Sequence, residues 1–185
     1  MTILTRWTID LLEQIPHVAG ERYEIIDGEL YVTSHPHIRY QITAKRICTE
    51  LDVWDEQTGL GIAIPAPDII YAPDEAVTPD AVWVSRERFG RIVGESGTLI
   101  DSPELVVEIL SPGKGNEERD RGKKLDLYSR RNVQQYWIVD WRNVMNIYRH
   151  QEDHLQFIQT LRAGDTLRSP LLPGFACVID RFFEL

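Results

Sequence analysis

Cysteine is nearly absent. Cys48 and Cys177 are the only two in 185 residues, far apart and without metal-ligand spacing, which removes a cysteine zinc site and a redox motif from consideration. In a reducing compartment both read as small buried hydrophobes. Long apolar runs are absent too: nothing approaches the roughly 18 residues needed to span a membrane. The start, Met1-Thr2-Ile3-Leu4-Thr5-Arg6-Trp7, lacks a signal peptide's basic stretch followed by an apolar one, so the expected location is cytoplasmic. Positive charge is scarce, with 20 Lys and Arg against 29 Asp and Glu and a formal net charge of −9. That balance argues against a protein that coats nucleic acid nonspecifically. Gly113-Lys114-Gly115 lacks the remainder of a phosphate-binding loop. No internal repeat, low-complexity segment or dividing linker is visible.

What is present fits an ordinary globular chain. Hydrophobic residues make up 43% and charged residues 26%, and the length suits one domain over residues 1–185 with a real core. Charge is unevenly spread: residues 86–131 hold ten Lys/Arg and nine Asp/Glu, so that stretch is +1 and the remainder −10. A DNA contact surface is therefore expected near Glu108 and Lys124.

Periodicity gives the elements. Residues 5–14 predict a short helix capped by Thr5 or Thr8. Asp27-Gly28, between Tyr23-Glu-Ile-Ile26 and Glu29-Leu-Tyr-Val32, predicts a hairpin whose type I′ turn needs positive φ twice. Tyr40, Ala44, Ile47, Cys48, Leu51 and Trp54 recur at steps of three and four, predicting a helix from about Pro36 to Glu56. Short strands follow at 62–64, 68–71, 81–84 and 105–110, separated by Pro, Gly and acidic turns. The last is almost wholly apolar, as expected of a strand covered on both faces. A loop at 111–116 leads into a helix over 117–131. A buried strand is expected at 135–140, a more exposed antiparallel pair at 143–149 and 154–161, and short strands from Gly164 on. This order predicts an α/β or α+β fold with a mixed central sheet flanked by helices.

Two carboxylates interrupt apolar strands: Asp80 in Val77-Thr-Pro-Asp-Ala-Val-Trp-Val84 and Glu108 in Leu105-Val-Val-Glu-Ile-Leu110. A buried carboxylate loses hydration worth several kcal/mol unless a partner replaces it. Hard divalent ions such as Mg²⁺ or Mn²⁺ take oxygen ligands and keep several waters. Asp80, Glu108 and the backbone carbonyl of Ile109 would supply enough of them. Asp120, Lys124 and Tyr128 are spaced i, i+4, i+8 and share a helical face. Lys124 is the expected catalytic cation, with Lys123 second, to stabilise developing charge or hold an attacking water. Each feature also has a plainer reading: Asp80 as a turn cap, Glu108 in a structural ion pair, the helical trio as a solvated face. Glu24 could be a third acid or an exposed edge residue. His37, with His35, opens the long helix and could act as base or phosphate contact, or simply cap it. Tyr136, Trp137 and Trp141 read as core rather than as nucleotide-stacking residues.

The stretches Arg22-Tyr-Glu-Ile-Ile-Asp-Gly-Glu-Leu30, Thr78-Pro-Asp-Ala-Val-Trp83, Pro103-Glu-Leu-Val-Val-Glu-Ile-Leu-Ser-Pro112, Asp120-Arg-Gly-Lys-Lys-Leu-Asp-Leu-Tyr128 and Gln135-Tyr-Trp-Ile-Val-Asp140 together resemble the Uma-type restriction endonuclease family of the PD-(D/E)XK nuclease superfamily. The resemblance runs from about Arg22 to Phe182. It implies a restriction-endonuclease-like fold and a divalent-metal nuclease site with Asp80 and Glu108 on the ion. The superfamily's lysine stands two residues after the second acid, where this chain has Leu110. The family's cation comes from the helix instead, which maps onto Lys124, and Glu24 and His37 match recurrent N-terminal positions. Related proteins are also found as dimers, which implies a homodimer, and the apolar segment from Phe175 to Leu185 could supply such a surface.

The reading that follows is a Mg²⁺- or Mn²⁺-dependent endodeoxyribonuclease acting on DNA, with Asp80, Glu108, Lys124, Glu24, Tyr128 and His37 at its site. A non-catalytic nuclease-fold interaction or regulatory protein is the alternative, with the same residues forming a buried ion cluster. A hydrolase of small phosphoesters or RNA has no motif in its support.

Overall fold

The structure, a computed structural model, describes residues 6–34, 37–110, 114–140 and 142–184. Thr5, His35, Pro36, the first part of the loop at 111–116, Trp141 and Leu185 lie outside the described residues.

Asp27 and Gly28 turn the chain with φ of 53° and 76°, the positive pair a type I′ turn requires. They join β1 (Arg22–Ile26) to β2 (Glu29–Thr33) with Ile26 opposite Glu29. Before them, α1 (Ile9–Leu12) is a single turn whose Thr8 side chain accepts from the Leu11 amide. It is shorter than the predicted 5–14: extended backbone at the Thr8 cap sets its start, and it closes at Glu13, whose amide donates to the Ile9 carbonyl. The long helix α2 (Ile38–Thr58) starts at a His37 cap and stops at Gly59, whose φ of 63° is left-handed. It sits two residues later than its sequence pattern suggested.

Next come β3 (Gly61–Pro65), β4 (Ile69–Ala72), β5 (Glu75–Val77) and β6 (Ala81–Ser85). Strand β5 pairs with β1 and β4, so β2-β1-β5-β4 form one small antiparallel sheet. Helix α3 (Arg86–Ile92) follows, capped by Ser85, and then β7 (Leu105–Leu110). The helix predicted over 117–131 is divided. α4 (Lys114–Glu118) and α5 (Lys124–Arg130) are joined by a π-helical turn over Arg119–Lys123. Strands β8 (Gln135–Asp140), β9 (Val144–Gln151) and β10 (His154–Leu161) complete a six-stranded sheet in the order β10-β9-β8-β7-β6-β3. Only the β7–β8 pair is parallel, so the sheet is mixed. A hairpin of β11 (Thr166–Ser169) and β12 (Leu172–Val178), with a final 3₁₀ turn at Ile179–Phe182, packs beside α2.

Strand alternation sorts the large sheet's side chains between two cores. Ala81, Trp83, Leu105, Val107, Ile109, Trp137 and Val139 face α2 and the C-terminal hairpin. Val82, Val84, Val106, Leu110, Tyr136 and Ile138 face α5. All six residues of β7 and of β8 are buried. By this parity Glu108 points to the α5 side, and Ile109 to the α2 side.

Candidate functional site

The ladder between β6 and β7 pairs Ala81 with Val107 and goes no further toward Ile109. A backbone N–H left open inside a sheet must find another acceptor. Asp80, one residue before β6, provides it: its Oδ2 accepts from the Ile109 amide at 2.7 Å. The amide and carbonyl of one strand residue leave the same edge, so the Ile109 carbonyl also points into the gap where Asp80 stands. The other Asp80 oxygen, Oδ1, accepts from Arg22 Nη1 at 3.1 Å.

On the α5 side of the same strand, Glu108 Oε1 accepts from Lys124 Nζ at 2.8 Å and from the Tyr128 hydroxyl at 2.9 Å. Lys124 also reaches Glu24 Oε1 at 2.8 Å, an oxygen that takes the Thr78 amide at 2.9 Å as well. Asp120 Oδ1 lies 4.0 Å from Lys124 and accepts from Arg119 Nε at 2.7 Å. In an α-helix, successive steps of four drift about 40° around the axis each. The π turn widens the helix between Asp120 and Lys124 and takes up part of that drift, and such turns recur at functional positions. Asp120, Lys124 and Tyr128 therefore stay on one line.

The structure thus brings Asp80, Glu108, Lys124, Glu24 and Tyr128 together at the sheet's split edge. Glu24, Glu108, Lys124 and Tyr128 are buried, so the solvated helical face that i,i+4 spacing allowed is not what forms. Lys124 is 0% exposed; it opens on no water-filled hollow. Lys123, its neighbour in sequence, points outward to Glu29 at 3.2 Å. His37 takes no part in these bonds: its Nδ1 accepts the Arg39 amide at 3.2 Å and its ring tilts against Tyr40.

Burial raises the Glu108 carboxyl to about 8, reinforced by Asp120, Asp80 and Glu24 and opposed by Lys124. For Glu24 burial works the same way, but Lys124 and Arg119 outweigh it and hold the group below its ordinary value. Lys124 is raised despite burial, because Glu108, Glu24 and Asp120 surround it. Tyr128 is pushed well above its ordinary value by burial and by Glu108, so its hydroxyl remains a donor. Glu24 Oε2 is buried without a hydrogen-bond partner, and Arg119 Nη1 lies 3.9 Å from it.

Two hollows flank the split edge and share Tyr40 of α2. One, of about 420 Å³, is lined by His37, Arg39, Tyr40, Ile109 and Asp140 among others. The second, of about 370 Å³, is lined by Arg22, Tyr40, Lys45, Asp52 and Asp80 among others. The basic residues described in the stretch at 86–131 do not stand as unpaired cations. Arg86, Arg88, Arg91, Arg119, Arg121, Lys123, Lys124, Arg130 and Arg131 are all engaged with carboxylates. Arg22 and Arg119 escaped sequence reasoning. Arg22 was findable, since it stands two residues before Glu24 and shares its face of β1; Arg119 needed the π turn.

A mixed sheet with helices on both faces and an acid pair at the parting of two central strands defines a restriction-endonuclease-like protein. The model of the Uma2 family, described as "Putative restriction endonuclease", matches residues 9–180, and the chain belongs to that family. Restriction-endonuclease-like families generally use a divalent metal ion. A solved structure from Anabaena variabilis, described as a "putative nuclease", superposes with a TM-score of 0.72 at 16% identity. The match covers 95% of this chain and 97% of that one, a likeness of fold. None of the curated proteins compared matches. No described helix is long and apolar enough to cross a membrane.

Proposed function

We propose that this chain is a Mg²⁺- or Mn²⁺-dependent endodeoxyribonuclease that hydrolyses DNA phosphodiester bonds. The observation that carries the reading is the split between β6 and β7, where Asp80 replaces the missing ladder partner of Ile109 beside Glu108. Among the described residues no three His, Cys, Asp or Glu form a ready-made cage. The donor set nevertheless fits a hard ion. It holds two carboxylates and one carbonyl, all oxygen, which leaves positions for water. The surroundings carry a surplus of negative charge as well: Asp80, Glu108, Glu24 and Asp120 stand against Arg22, Arg119 and Lys124. That count holds with Glu108 ionised; burial, with the neighbouring acids, raises its carboxyl, and one Glu24 oxygen has no hydrogen-bond partner.

Asp80, Glu108 and the Ile109 carbonyl would hold the ion, which supplies a water of lowered pKa and a polarised phosphoryl oxygen. The chain's own groups do the rest. Lys124 and Tyr128 fix the Glu108 carboxylate by two bonds to one oxygen, and Glu24 anchors Lys124 from the other side. Being sealed, Lys124 acts by positioning Glu108 and by its field. His37 and Tyr40 line the hollow beside Ile109, where a nucleic-acid strand has room to lie.

Nicking of supercoiled DNA in Mn²⁺ is expected from the wild type and absent from Asp80→Asn, which keeps an oxygen for the Ile109 amide. Equal nicking by both removes the reading. The completeness of the internal pairing around Lys124 favours a second reading, a non-catalytic nuclease-fold protein with a structural ion cluster. Saturable Mn²⁺ binding separates the two, since the structural cluster predicts none.

A further inference from the structure

The cation bonded to Asp80 on the open side of the site is Arg22, not Lys124. Its side chain is 26% exposed, against 0% for Lys124, and it lines the same hollow as Asp80. Its one carboxylate bond is to Asp80 Oδ1, the oxygen not spent on the Ile109 amide. That is the oxygen a metal would need.

A guanidinium and a divalent ion on one carboxylate oxygen would stand a few ångströms apart, and like charges at that distance in a half-buried cleft repel strongly. Occupation of Asp80 therefore displaces Arg22. The side chain is partly exposed and its backbone is fixed in β1, so it swings within the hollow and does not leave it. Once displaced, its planar fork of donors matches the paired oxygens of a phosphodiester better than any other side chain. Glu24 and Glu108 add to the field that holds the guanidinium near the site.

Resting on the nuclease reading above, we propose that Arg22 is an exchangeable counterion. It occupies Asp80 in the metal-free protein, yields it to the divalent ion, and then binds the substrate's phosphate. The exchange couples metal loading to substrate capture, because one event frees the cation the next one uses.

The two halves of the proposal predict opposite signs for one substitution. Arg22→Gln removes a competitor for Asp80, so Mn²⁺ affinity, followed by the loss of the free-ion signal in electron paramagnetic resonance, rises about tenfold, the scale of one half-buried charge interaction. The same variant, loaded with Ca²⁺, binds a fluorescent DNA duplex at least about tenfold more weakly than wild type, as loss of a charged phosphate contact requires. A merely structural arginine would lower both. Arg22→Lys keeps the charge but not the fork. It is expected to bind Mn²⁺ as wild type does, and duplex more weakly.

If wild type binds Mn²⁺ and a folded Arg22→Gln binds it no more tightly, the exchange is overturned while the nuclease reading stands. If neither protein binds Mn²⁺, the nuclease reading falls and the exchange with it. Should Arg22→Gln fail to fold, Arg22→Lys decides, and duplex affinity equal to wild type overturns the proposal.

Discussion

The two faces of the large sheet are buried alike, but only one of them takes in charge. Toward α2 lie Ile47, Leu51, Trp54, Trp83, Val107, Trp137 and Phe175, an interdigitated apolar core. Toward α5, beside Val106, Leu127 and Ile138, lie Glu24, Glu108, Asp120, Arg119 and Lys124 with Tyr128. Apolar burial stabilises by roughly 25 cal/mol per Å² with no partner to satisfy. A buried ion pair recovers its desolvation cost only through good geometry, and isosteric apolar residues often do as well or better. Apolar burial stabilises both faces, and on the α2 face it is nearly the whole content. The charge on the α5 face is tolerated at some expense of stability, as expected where charge serves chemistry.

The difference predicts how each face breaks. Trp137→Ala opens a large cavity and should cost about 3–5 kcal/mol in urea unfolding, with no second substitution able to restore it except by refilling the volume. Lys124→Met should cost as much, about 3–5 kcal/mol, since it leaves the buried Glu24 charge without its closest cation and takes a hydrogen bond from Glu108. Adding Glu24→Leu and Glu108→Leu should then return much of the loss, because the charges are removed together. If Lys124→Met costs under about 1 kcal/mol, the acids are already neutral and the comparison fails.

A smaller effect concerns pH. The Glu108 carboxyl is raised to about 8 by burial and its acidic neighbours, so the folded protein keeps a proton there that the unfolded chain releases near pH 4.5. That contribution is fully present below the unfolded value and is lost as pH rises through about 8. Stability of the metal-free protein should fall between pH 5 and 8 by this term, and Glu108→Gln, which cannot titrate, should flatten that part of the curve. Urea midpoints across the range decide it; equal slopes in wild type and variant would show that Glu108 ionises normally.

Legibility in the sequence followed the strength of local signals. Asp27-Gly28 and the runs at 105–110 and 135–140 were readable because turn chemistry and continuous apolar stretches leave few alternatives. The strand Glu75–Val77 was not: three residues held between β1 and β4 carry no periodicity of their own. Helix Arg86–Ile92 was hidden by its charge, though Ser85 accepting from the Arg88 amide is an N-cap of ordinary kind. At the site, Asp80, Glu108 and Lys124 were legible because charge in apolar strands is expensive. Their sealing was not, since Glu24 and Arg22 arrive from a separate small sheet that only tertiary structure brings over. Nor could sequence tell that nine basic residues of the stretch at 86–131 pair with carboxylates.

The smallest expected effect comes from the lysine next door. Lys123 and Lys124 are identical in chemistry and adjacent in sequence, yet Lys123 is 46% exposed and pairs with Glu29, itself 59% exposed. Exposed pairs of this kind are screened by water and salt and contribute little. Lys123→Met should therefore leave the urea midpoint, its pH dependence and Mn²⁺ binding where they are in wild type. A rise in Mn²⁺ affinity with Lys123→Met would mean that long-range field, and not contact with Glu108, is what the helix supplies. It would also transfer to Lys123 the role that the geometry gives to Lys124.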